Sequence, residues 1–128
     1  MAQKILVVDD EPGVVRIITA RLQADGYEVG AASNGREALK QVESTQPDLI
    51  VLDLNMPELS GWQVAHQLKS DARYKQTPIL MLSALVDDDG PSGEMDPGDF
   101  MMGKPFQLPA LSQTVRDLLR GQDVPARN

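Results

Sequence analysis

The 128-residue chain has no cysteine and a single histidine, His66. Disulfides, thiolate metal sites and a cysteine nucleophile are thereby excluded. Basic side chains are scarce: 12 Lys and Arg stand against 19 Asp and Glu, for a net charge of −7. That balance argues against a nucleic-acid-binding surface, which needs a basic patch. No apolar run approaches membrane-spanning length, and "MAQKILVVDD" enters a strand-like run without the long apolar region of a signal peptide. The expectation is a cytoplasmic domain that touches neither membrane nor nucleic acid directly. Basic residues are missing altogether from residues 87–99, "DDDGPSGEMDPGD", which hold six acids and five Gly/Pro residues.

What is present suits one globular domain. Apolar residues make up 41% of the chain, too many for a disordered composition. "KILVV", "DLIVL" and "PILMLS" are each too short for a helix and rich in Val, Ile and Leu. Runs without polar alternation predict strands buried on both faces, as in a parallel sheet covered by helices. "YEVGAA" and "FMMG" are weaker strand candidates. Between them lie helical patterns that start near Pro12, Asn34-Gly35, Gly61 and Leu108. The alternation predicts an α/β fold, a single doubly wound domain with right-handed crossovers.

Ligands of such sheets bind beyond the carboxyl ends of the strands. Those ends carry Asp9, Asp10 and Asp53, then Ser83, then Lys104. Three neighbouring carboxylates remain ionised only if a cation joins them. Oxygen ligands alone select a hard ion, and Mg2+ sharing its shell with a phosphate fits best. Lys104 supplies a positive charge for a phosphoryl oxygen, and Ser83 a neutral hydrogen bond. A carboxylate held between Mg2+ and an ammonium is placed to attack phosphorus. The chemistry expected is phosphoryl transfer onto a protein carboxylate, by positioning and charge neutralisation.

"LVVDDEP", "LDLNMPELSGW", "LSA" and "KPF", in this order and spacing, resemble the receiver domain of two-component response regulators. The resemblance spans nearly the whole chain and implies a flavodoxin-like (βα)5 domain over residues 1–120, with 121–128 a flexible tail or the start of a linker. It implies that Asp53 is the phospho-acceptor. Asp10, Asp53 and the backbone carbonyl of Asn55 would hold Mg2+, and Asp9 would assist through water. Lys104 would pair with the incoming phosphoryl group, Ser83 would bond to it after transfer, and Lys104-Pro105 would be a cis peptide. The implied donor is a sensor histidine kinase or a histidine phosphotransfer protein, and the domain would catalyse only its own phosphorylation and dephosphorylation.

Other readings compete. A haloacid-dehalogenase-like phosphohydrolase would place a second acid at position 55, where Asn stands, and its acidic pair would come last in the chain. A flavodoxin-like cofactor binder would need a Ser/Thr/Gly-rich phosphate loop, whereas "DDEPGVV" repels a phosphate. A phosphorylation-independent interaction module stays open. Taken singly, Asp9-Asp10-Glu11 suits a helix N-terminus, Ser83 a strand end and Lys104 a solvated surface. His66 lies mid-helix and is expected to face solvent, while Met81, Met101 and Met102 are expected in the core.

Two departures from the family stand out. Residues 87–99 fall where a helix between the fourth and fifth strands belongs, and their Gly, Pro and repelling acids predict one that is short, displaced or disordered. Their spacing fails the calcium-loop pattern. In addition, Met101 stands three residues before Lys104, where the family carries an aromatic, with Phe100 one position earlier.

Overall fold

β1 (Lys4–Val8), β3 (Leu49–Asp53) and β4 (Ile79–Ser83) are buried along almost their whole length, as strands covered on both faces must be. The computed structural model describes residues 2–56, 59–83 and 100–121. With β2 (Glu28–Ala32) and β5 (Phe100–Gly103) these strands form one parallel sheet in the order β2-β1-β3-β4-β5. The turn from β1 outward to β2 on one side and to β3 on the other puts the switch point between β1 and β3. The α/β expectation holds. The expectation about the segment between β4 and β5 falls on residues 84–99, outside the described residues, and the proposed tail beyond Gly121 also lies outside them.

Strand alternation divides the core in two. Leu6, Val8, Ile50, Leu52 and Met81 face α2 (Gly35–Thr45) and α3 (Gly61–Lys69). Ile5, Val7, Val51, Leu80 and Leu82 face α1 (Pro12–Ala24) and α4 (Leu108–Leu119). Met81 and Met102 are core residues and His66 is exposed on α3, as read, whereas Met101, expected in the core, is half-buried. Met101 packs with the α2–α3 cluster and Phe100 with the α1–α4 cluster, so one cannot replace the other without a register shift.

The helix starts aim the chain at the carboxyl edge of the sheet. Asn34 caps α2 by accepting from the Glu37 amide at 2.8 Å, and Glu37 returns by accepting from the Ser33 amide at 3.0 Å. On α3 the exchange closes on the N-cap itself, Ser60 Oγ accepting from the Gln63 amide and Gln63 Oε1 from the Ser60 amide. Gly61 starts α3 because nothing larger fits. A Cβ there would lie 2.6 Å from Leu54 Cα and closer still to the Asp53 carbonyl oxygen. Both obstacles are backbone, which cannot swing aside. Gly61→Ala is therefore expected to lower the unfolding free energy by about 1–3 kcal/mol in urea titration. An unchanged midpoint would mean that α3 does not bear on the Asp53 loop as tightly as this contact requires.

Candidate functional site

The carboxyl ends of β1 and β3 are adjacent and level, with Val8 opposite Leu52. The next residue on each strand is an aspartate, and both are almost wholly buried: Asp9 and Asp53 are each 1% exposed. Asp10 follows Asp9 and is exposed. Carboxylate oxygens of Asp9, Asp10 and Asp53 all lie within 4.8 Å of one another.

Lys104 follows β5, two strands away, and reaches across to this cluster. Its Nζ donates to Asp9 Oδ2 at 3.0 Å and stands 3.4 Å from Asp53 Oδ1. Its amide donates to the Ser83 carbonyl at 2.7 Å, which extends the β4–β5 ladder by one residue and fixes where the side chain starts. The Lys104-Pro105 peptide is cis. At 16% side-chain exposure Lys104 is no solvated surface lysine. Ser83, 3% exposed, ends β4 opposite Gly103 and beside the Asp53 strand.

Backbone amides hold both buried acids. Asp9 Oδ1 accepts from the Glu11 amide at 2.9 Å, and Asp53 Oδ1 accepts from the Asn55 amide at 3.1 Å. Asp9 thus serves the start of α1 as well as the cluster, while Glu11, the N-cap residue, makes no side-chain cap bond. The Asn55 amide is a partner that motif reading missed, since the sequence pointed only to its carbonyl.

The electrostatics are unbalanced. Burial pushes the Asp53 carboxyl above its ordinary range; the Asn55 amide opposes that, the Asp9 charge adds to it, and Lys104 opposes it. For Lys104, burial alone would lower the ammonium, but the hydrogen bond and charge of Asp9, with those of Asp53, raise it overall. Three carboxylates against one ammonium leave an excess of two negative charges, the charge of one divalent cation. An oxygen-only donor set with a buried wall and one exposed member suits a hard ion that keeps part of its water shell.

Comparison with known proteins follows the same lines. The family described as "Response regulator receiver domain" matches residues 5–116. The alkaline phosphatase synthesis transcriptional regulatory protein PhoP of Bacillus subtilis is 41% identical over 127 residues, covering 98% of this chain and 52% of that protein. The DNA-binding dual master transcriptional regulator RpaA of Synechocystis is 36% identical, covering 94% of this chain and 50% of its own length. The chain therefore spans about half the length of these curated relatives. Among solved structures, the Thermotoga maritima response regulator TrrA in complex with Mg2+–BeF is 35% identical with a TM-score of 0.79, covering 91% of this chain and 98% of that one. The chemotaxis protein CheY4 of Vibrio cholerae is 31% identical with a TM-score of 0.80, covering 92% and 99%.

Proposed function

Since the chain belongs to the response regulator receiver domains, we propose that Asp53 is its phospho-acceptor and that Asp9, Asp10, Asp53 and the Asn55 carbonyl form its Mg2+ site. Phosphoryl acceptance is the function of this family. The observation that carries the assignment is the meeting of Asp53 with Lys104 and two further acids at one strand edge. TrrA, a neighbour of the same fold, binds Mg2+–BeF.

Asp53 Oδ1 is engaged by the Asn55 amide and Lys104, so attack is assigned to Oδ2. A bond forms from Oδ2 to phosphorus as the bond from phosphorus to the donor's imidazole nitrogen breaks, and that nitrogen leaves with its electron pair. The donor on this reading is a histidine kinase or a histidine phosphotransfer protein. Lys104 already touches the nucleophile and neutralises charge on a phosphoryl oxygen, and Ser83 at the next strand end donates to another. Mg2+, when bound, supplies the remaining positive charge. The domain acts on itself rather than turning over substrate, in the cytoplasm. Among the described residues no helix is long and apolar enough to cross a membrane.

Mg2+ affinity carries a pH signature. Protons compete for Asp53, whose pKa is raised, so affinity falls with acidification and begins to fall above the ordinary carboxylate range. Fluorescence of Trp62, the only tryptophan, adjoins Gly61 at the Asp53 backbone and serves as the readout. A Mg2+ titration without any Trp62 response or pH dependence would count against the site.

A further inference from the structure

Gly35, the first residue of α2, is buried, and its missing side chain makes room for a neighbour. A Cβ there would stand 2.9 Å from the Leu59 carbonyl oxygen and equally close to Leu59 Cδ2 and Val64 Cγ2. The two methyl groups can turn away; the carbonyl is backbone and cannot. Ordinary contact begins at 3.4 Å, so an added Cβ requires a shift of about half an ångström. Helix propensity would favour Ala over Gly at this position. The glycine therefore serves space, and Leu59 takes that space.

Leu59 belongs to the loop that leaves β3 after Asp53 and enters α3 at Gly61. The ends of this loop are closed on each other, with the Gly61 amide donating to the Leu54 carbonyl at 3.4 Å. Asn55 lies in the same loop, flanked by the buried side chains of Leu54 and Met56. With its ends fixed, the loop shares any shift of Leu59 with the segment that carries Asn55. Nor can α2 retreat freely instead. Its first turn is locked by the Asn34–Glu37 exchange, which reaches back to the Ser33 amide. Ser33 follows Ala32, and the Ala32 carbonyl accepts from the Asp9 amide at 3.2 Å. The turn from β2 into α2 thus bears on the acidic cluster twice, at Asp9 through Ala32 and at the Asn55 loop through Gly35, while supplying no ligand. We infer that Gly35 is a positioning residue for the divalent-cation site, setting the Asn55 carbonyl against the carboxylates of Asp9, Asp10 and Asp53. The inference rests on the Mg2+ site proposed above.

A misplaced ligand and a merely weakened fold give different signatures. Mg2+ demands near-ideal octahedral geometry, whereas Ca2+ tolerates irregular shells. A shift of about half an ångström is enough to spoil a site of this kind. The test is an NMR titration of the labelled chain with Mg2+ and, separately, Ca2+, read at the Asp9 and Asp53 amides. Gly35→Ala is expected to weaken Mg2+ by about tenfold and Ca2+ by about threefold or less. Val42→Ala, at a core position of α2 that is 1% exposed, lowers stability but leaves both affinities within about twofold. Gly30→Ala, whose Cβ meets only Leu6 Cδ1 at an ordinary 3.8 Å, leaves them unchanged. If Gly35→Ala does not fold, Leu59→Ala gives the same test, because it removes the side chain that seats the loop against Gly35; Mg2+ again loses more than Ca2+. Equal binding by the variant and the wild type, an unaltered preference between the two ions, or an equal loss in Val42→Ala would overturn the inference alone. A wild type that binds neither ion would remove the proposed metal site and this inference together.

Discussion

Lys104→Ala lowers the unfolding free energy of the metal-free protein at neutral pH by on the order of 3 kcal/mol, and millimolar Mg2+ restores most of the loss. Lys104 is the counter-ion of two buried carboxylates, Asp9 at 3.0 Å and Asp53 at 3.4 Å. Truncation leaves both desolvated, where water repays little. At the proposed site Mg2+ would bind the folded chain and not the unfolded one, and so recover stability by mass action. The pH dependence follows from the directions of the two shifts. Lys104 is raised on folding, so its contribution is complete below the unfolded lysine pKa of 10.5 and disappears as pH rises through the higher folded value. In acid the deficit of Lys104→Ala shrinks as Asp53 takes up a proton, and because Asp53 is raised this begins above its ordinary range. Urea denaturation with and without Mg2+ across pH measures all three. A variant as stable as the wild type in EDTA would show that the ammonium does not balance the cluster.

Asp53→Asn is expected to abolish the Trp62 response to beryllofluoride with Mg2+, with no residual signal, while raising the denaturation midpoint of the metal-free protein. The loss follows because an amide is neither a nucleophile nor a charged ligand for beryllium or magnesium. The gain follows from linkage. The folded pKa of Asp53 lies above the unfolded 3.8, so the stability tied to its protonated form is present below 3.8 and lost as pH rises through the folded value. At neutral pH the ionised side chain is therefore a net cost, which the neutral amide removes. A variant less stable than the wild type without metal would contradict the assignment of burial as the dominant influence on Asp53.

Much of this was legible because the cause of each feature is local. "KILVV" and "PILMLS" read as strands because they are apolar on both faces, and both are buried on both faces. β2 read weakly because it is an edge strand, with Gly30 and Ala31 exposed. The strand-end residues were legible as a group, since a parallel sheet delivers every carboxyl end to one edge. What stayed hidden depends on distances across the fold. Nothing in "SGW" says that Gly61 rests on the backbone of Asp53 and Leu54. The Asn55 amide on Asp53 follows from the turn after β3 rather than from residue type. Which of Met101 and Phe100 takes the place of the aromatic before Lys104 was open in the sequence; the β4 pairing adds that Met101 lies opposite Met81 on the α2–α3 side.

The most direct test of the central claim is the intact mass of the wild-type chain after incubation with acetyl phosphate, with and without Mg2+, followed by mapping of the adduct. The proposal predicts a single Mg2+-dependent phosphoryl group on the peptide that contains Asp53, absent from Asp53→Asn. No Mg2+-dependent adduct, or the same adduct on Asp53→Asn, would contradict it.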